Sequence, residues 1–263
     1  MHARIALLVA LLCIPAAAGR EEADAPAPPL DGKRKTFVVV GYSTSFRWPS
    51  LLQQLLDGHA RKKGVYHVVN ASVGGSPVAK WLGLTSPRDR VRTFGRMVKG
   101  WFEPGSRLAG RPKPTVALCQ QSLQWVFGDR AAGIRGPKDT ERIRKGADAF
   151  AKLARQIHDL GVGTVWISTH IYKFGMEPAM ENEKYALQEL VRRKVEYVRA
   201  GPDVWTPTRK GWPGLFAADR IHPNALGARV MAVAWYRALA GPDVREDLIR
   251  RLEAQETPKR GGR

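Results

Sequence analysis

The sequence predicts an α/β protein, a three-layer α/β/α sandwich around a mostly parallel sheet. Three observations point there. Short β-branched runs ("TFVVVG", "VYHVVN", "PTVALC", "GTVWIST") recur between longer amphipathic runs. The two patterns alternate along the chain, and such alternation closes into parallel strands joined by crossover helices. The strand runs are mostly apolar and β-branched, as suits buried strands.

The elements follow in order. "KTFVVVG" ends in Gly41 and reads as a buried strand. "WPSLLQQLLDGHARKK" reads as a helix, with Pro49 near its start and Leu51, Leu52, Leu55 and Leu56 on one face. "VYHVVN" is a second strand, and "SPRDRVRTFGRMVKGWF" a helix interrupted by Gly95. "PTVALC" is a third strand. "PKDTERIRKGADAFAKLARQIHDLG" is a long helix bounded by Pro137 and Gly161. "GTVWIST" is a fourth strand and "PAMENEKYALQELVRRKV" the helix after it. Residues 201–221 form a Pro/Gly-rich connection with a short strand expected at "DVWTP". "PNALGARVMAVAWYRAL" is the last core helix. "PDVREDLIRRLEAQ" adds a final one, and "ETPKRGGR" frays.

The 263 residues divide by composition. Residues 1–18 carry Arg4, the apolar "IALLVALLC" and the small-residue "IPAAAG", the pattern of a secretion signal, with a retained anchor as the alternative. Residues 19–35 read as a flexible Pro-rich leader. Residues 36–242 are long enough for one domain with a full core, and 243–263 hold the last helix and a basic tail. The expected location is therefore periplasmic or secreted, with no stable membrane span after signal cleavage. Cys119 is the one cysteine beyond the signal segment, which excludes an intrachain disulfide, and "TVALC" suggests a buried thiol.

Forty-three basic residues against 24 acidic give a formal net charge of +19. The cations are dispersed, and no zinc-finger, RNP-like or helix-turn-helix pattern accompanies them, so no specific nucleic-acid partner is expected. A weak attraction to polyanions stands beside a plainly solvated basic surface.

In parallel α/β folds, ligands gather beyond the carboxyl ends of the strands. Ser43 follows the first strand in "GYSTSF", with Ser45 as a competitor. Gly74 and Gly75 follow the second in "NASVGGSP", where bare backbone N–H groups suit an oxyanion. Gln120, Gln121 and Gln124 follow the third. Near the end stands Asp219-x-x-His222-Pro223. A serine hydroxyl needs a base in contact to become a nucleophile, and an imidazole needs a fixed acceptor on its second nitrogen. An Asp three residues earlier can reach that nitrogen. Pro223 steers His222 out of helical dihedrals. Each feature alone has a plain structural reading: a turn serine, a tight Gly-Gly turn, a helix-capping Asp. Their shared placement favours the chemical one.

These residues resemble the SGNH (GDSL-type) hydrolase superfamily over residues 36–240. Its Gly-Asp-Ser block corresponds to Gly41-Tyr42-Ser43. Its Asn-x-Gly-x-x-Gly block corresponds to Asn70 through Gly75, and its Asp-x-x-His block to Asp219 through His222. The resemblance implies a flavodoxin-like sheet, a Ser43-His222-Asp219 triad, and an oxyanion hole from Ser43, Gly75 and a third side chain. Tyr42 replaces the family's Asp. Its Gly-x-Asn-Asp block is missing; "LCQQSLQ" stands there, and the third donor's role passes to Gln121.

The expected activity is hydrolysis of an ester, an O-acetyl group on a carbohydrate, without metal or organic cofactor. Tyr42, Asn70, Trp48 and Trp125 are the expected substrate contacts. A non-catalytic carbohydrate-binding relative, a glycan O-acyltransferase, and a metal hydrolase using Asp219, His222 and His170 are the alternatives.

Overall fold

The computed structural model describes residues 29–85, 103, 105, 106, 108, 109 and 112–255. The signal segment, most of the leader, the helix expected at "SPRDRVRTFGRMVKGWF" and the last eight residues lie outside them.

Five strands form one sheet: β1 (Lys35–Val40), β2 (Tyr66–Asn70), β3 (Val116–Gln120), β4 (Thr164–Ser168) and β5 (Val198–Ala200). Their order is β2-β1-β3-β4-β5, and every pairing is parallel. Side chains alternate across the pleat, and both faces are buried. Phe37, Val39, Val116 and Leu118 join one core, while Val38, Val40, Ala117 and Cys119 join the other. This explains why consecutive central positions of β1 and β3, Phe37–Val40 and Val116–Cys119, are all apolar.

The first core is closed by α1 (Trp48–Ala60), α6 (Ala225–Ala240) and α7 (Glu246–Ala254). Trp48 of α1 stacks on Trp235 of α6, with centroids 5.5 Å apart and planes at 12°. The second core is closed by α2 (Val78–Trp81), α3 (Thr140–His158) and α4 (Glu183–Arg192). Helix α5 (Trp205–Lys210) completes the chain order.

Two expectations are corrected. The fifth strand lies at Val198–Ala200, while "DVWTP" opens α5. Asp203 Oδ1 accepts the N–H groups of Trp205 and Thr206 and so starts a helix where β-branched residues had suggested a strand. Helix α4 begins at Glu183 rather than at Pro178.

The strand order reverses direction between β1 and β3. In doubly wound sheets that switch point leaves a crevice at the carboxyl ends of the two strands. The chain therefore places its site where Ser43 follows β1 and the glutamines follow β3.

Candidate active site

Strand β1 runs through Gly41 and Tyr42 into one tight 3-10 turn, Ser43–Ser45. Gly41 is needed for close approach. A Cβ there would collide with the Ser45 hydroxyl and come within 2.8 Å of Ser45 Cβ. Ser45 is fully buried behind it, so Ser45 does not reach the solvent side. Ser43 is half-buried and lines a cavity of about 610 Å³.

His222 reaches Ser43 across 179 residues of sequence. Its Nε2 lies 2.9 Å from Ser43 Oγ, and its Nδ1 lies 2.7 Å from Asp219 Oδ2. A carboxylate only accepts, so Nδ1 carries the proton and Nε2 is left to accept from the serine. Asp219 Oδ1 also accepts the backbone N–H groups of Ile221 (2.9 Å) and His222 (3.0 Å). The His222 backbone N–H, then its ring N–H, then the Ile221 N–H hold the Asp219 carboxyl far below the usual carboxylate range.

This turn is built locally. Arg220 adopts a left-handed φ of 55°, its N–H donating to Ala217 O. The Ala217 N–H donates to His222 O, and Phe216 bridges Pro223. The cap of α6 is Asn224, whose Oδ1 accepts from Leu226 and Gly227. Asp219 is thereby free of capping duty.

Gly75, at φ 63°, lines the cavity. The backbone N–H groups of Ser43 and Gly75 have no acceptor among the described residues. Both are available to a ligand oxygen.

Trp125 and Tyr42 line the cavity as expected. Tyr42 is buried, donates to Ser122 Oγ at 3.2 Å, and stacks on His170 at 4.7 Å. Trp125 is 40% exposed and holds a positive φ of 70°, uncommon for a bulky residue.

Three expected site residues are placed elsewhere. Trp48 is fully buried in the α1–α6 core. Asn70 lines no part of the cavity. Its Nδ2 donates to Ser45 O at 3.0 Å and its Oδ1 accepts from Ser72 N, so it ties the end of β2 to the Ser43 turn. Gln121 is fully buried, and its amide donates to Val40 O at 3.2 Å, bracing the ends of β1 and β3. Of the three glutamines it is Gln124 that lines the cavity, and its Nε2 has no acceptor among the described residues.

Sequence reasoning had considered His170 only as a metal ligand. Its ring is buried against Tyr42, with Nε2 3.4 Å from Thr44 Oγ1. Burial, then the nearby Lys173 charge, lowers its pKa to about 3, so it is a neutral wall of the cavity. His170, Asp219 and His222 form no three-ligand group among the described residues. Lys80, Arg130 and Lys173 also line the cavity. No spacing rule singles them out, because they come from three separate segments.

No protein-family model matches the chain, and no curated protein matches its sequence. Solved structures do match it. An acetyl-xylooligosaccharide esterase from Geobacillus superposes with a TM-score of 0.53 at 16% identity, over 81% of this chain and 98% of that one. A gut microbial diltiazem-metabolizing enzyme gives 0.50 at 15% identity, over 82% of this chain and 48% of that one. An SGNH hydrolase from Slackia heliotrinireducens gives 0.45 at 18% identity, over 79% and 100%. The chain shares the α/β/α fold of the Geobacillus esterase. Within that fold the Ser43 turn, the Gly75 loop and the Asp219–His222 turn occupy one end of the sheet, at the switch point between β1 and β3.

Proposed function

We propose that this protein is a secreted serine esterase that removes small acyl groups, acetyl above all, from a carbohydrate. The contact chain from Ser43 Oγ through His222 to Asp219 carries the reading, because it joins two segments far apart in sequence beside two N–H groups with no acceptor among the described residues.

The steps follow from the geometry. Ser43 Oγ attacks the ester carbonyl carbon while its proton passes to His222 Nε2. The carbonyl electron pair moves onto oxygen, which receives the Ser43 and Gly75 N–H groups and, in this reading, the amide of Gln124. Collapse breaks the bond to the alcohol oxygen, which takes the proton from Nε2. Water then repeats the attack on the acyl-enzyme, and the acid leaves as the proton returns to Ser43 Oγ. Asp219, ionised throughout, holds the imidazole and stabilises its charged form.

A sugar-sized alcohol fits a cavity of this volume, and ligand pockets of roughly 300–1,000 Å³ are ordinary. The half-exposed indole of Trp125 offers a stacking face at its edge. One relative of this fold acts on acetyl-xylooligosaccharides by its name, which agrees with the substrate class. Among the described residues no helix is long and apolar enough to cross a membrane. Secretion rests on the N-terminal sequence pattern.

The test is mass spectrometry after a fluorophosphonate probe, joined to p-nitrophenyl acetate hydrolysis. Label on Ser43, and loss of turnover in Ser43→Ala, are expected. Equal rates in the two proteins exclude Ser43 as nucleophile and leave the binding-protein reading.

A further inference from the structure

We infer that the Ser43 cavity has an anionic subsite formed by Lys80, Arg130 and Lys173, so that the preferred substrate is an ester on a sugar bearing a carboxylate or sulfate. This inference rests on the esterase reading of the cavity and narrows its substrate.

Three cations line the cavity, and among the described residues no Asp or Glu does. They arrive from three elements: Lys80 from α2, Arg130 from the segment after β3, Lys173 from the segment after β4. Several basic residues elsewhere find acidic partners, while others among the described residues stand unpaired on the exposed surface, outside this cavity. Arg135 pairs with Asp139, Arg192 and Arg193 with Glu189, Arg209 with Glu181, and Arg245 with Asp247. Lys80, Arg130 and Lys173 form no ion pair among the described residues.

Gathering unpaired like charges in a recess is unfavourable unless something neutralises them. Lys173 records that cost. Burial, then the Arg130 charge, lowers its ammonium pKa to about 8, opposed by the carboxyl of Glu183. Glu183 is itself buried, with Oε1 accepting from Leu123 N and no place in the cavity lining. An anion in the cavity would meet two or three charge-assisted donors at once. The net charge of +19 would draw such a substrate toward the molecule from a distance.

The acyl group is small in the proposed reaction, so the anionic group belongs to the glycan side of the ester. Trp125, at the same cavity, offers the ring face that a charged sugar still needs.

Acetate release is measured from three oligosaccharides: O-acetylated galacturonate, O-acetylated sulfated galactan, and O-acetylated xylan fragments. Wild-type kcat/KM is expected to favour one of the anionic substrates by about tenfold or more. Raising KCl from about 0.05 to about 0.5 M should erode that preference while leaving the xylan rate little changed. Arg130→Gln, at an exposed position, should lower the anionic-to-neutral ratio by about tenfold. Preference for galacturonate identifies carboxylate as the recognised group, and preference for the galactan identifies sulfate. Equal kcat/KM on all three, unaltered by Arg130→Gln, overturns the inference while Ser43-dependent p-nitrophenyl acetate hydrolysis keeps the esterase reading. If no ester is cleaved in a Ser43-dependent way, calorimetry with the deacetylated oligomers decides. Tighter binding of an anionic oligomer than of the xylan fragment, lost in Arg130→Gln, upholds the subsite, and equal binding removes it.

Discussion

Asp219→Asn tests the site at its most exposed link. The wild-type carboxylate accepts three hydrogen bonds, from the N–H groups of Ile221 and His222 and from His222 Nδ1. An asparagine Oδ1 can keep the two backbone bonds, so the turn should persist. Its NH2 would then face Nδ1, and the ring would move its proton to Nε2. Nε2 would become a donor toward Ser43 and could no longer take the serine proton. In a buried triad that reversal costs about 10⁴ in kcat. Here the side chains of His222 and Asp219 are 43% and 46% exposed. Solvent screens the pair and offers the ring other partners. The lost contribution should therefore be nearer 3 kcal/mol, and kcat should fall about 10²-fold. Initial rates on p-nitrophenyl acetate near neutral pH measure this, and circular dichroism checks that the fold is intact. A loss under about threefold, in a folded protein that still needs Ser43, would refute Asp219 as the orienting group. Because the Asp219 carboxyl is held so far below its ordinary range, mild acidification should leave it ionised. The acid limb of the wild-type rate profile therefore belongs to another group.

Two glycines of the site should lose similar stability to alanine but differ in their effect on rate. Gly41→Ala drives a methyl into Ser45 and should cost about 1–3 kcal/mol in urea unfolding, with kcat reduced at least tenfold as the Ser43 turn shifts. Gly75→Ala meets no atom within 4 Å and keeps its N–H, so it should cost only the left-handed penalty of about 1–2 kcal/mol and leave kcat within a few-fold. Similar rates in both variants would break the link between Gly41 and the nucleophile. Glu183 provides a pH test. Burial raises its carboxyl well above the ordinary value. A raised folded-state pKa means its contribution is fully present below the unfolded value of about 4.3 and is lost as pH rises. Glu183→Gln, which can still accept from Leu123 N, should match wild type near pH 4 and exceed it near pH 8 in urea unfolding. Lower stability of the variant near pH 8 would show that the fold needs the ionised carboxylate facing Lys173.

What could be read from sequence was what is local. Four strands and the long helices announce themselves by period and punctuation. Asp219-x-x-His222-Pro223 holds its base and orienter in one turn, so spacing alone exposes it. Gln121 took its expected role from the position of the missing family block, and that position does not fix where the side chain points. The chain turns, Gln121 points back to Val40, and Gln124 reaches the cavity three residues later. Trp48 was legible in principle, since with Leu52, Leu55 and Leu56 it lies on the buried face of α1. Its nearness in sequence to Ser43 suggested a site role that helix period contradicts. Lys80, Arg130 and Lys173 were not legible at all. Their meeting depends on three crossovers, and none carries a local mark.

The two halves of the site differ in burial, and that difference bears on the choice between hydrolysis and acyl transfer. The Ser43 turn is pinned by Asn70 and by the Tyr42–His170 stack, with Thr44 and Ser45 fully packed beneath. The base arrives from an exposed turn, and its ring is open to solvent over nearly half its surface. An acyl group on Ser43 would therefore sit beside an imidazole with an exposed edge. A transferase must keep water from that position while an alcohol waits. An accessible His222 supports water as the second acceptor, and so favours release of the free acid over transfer of the acyl group to another sugar.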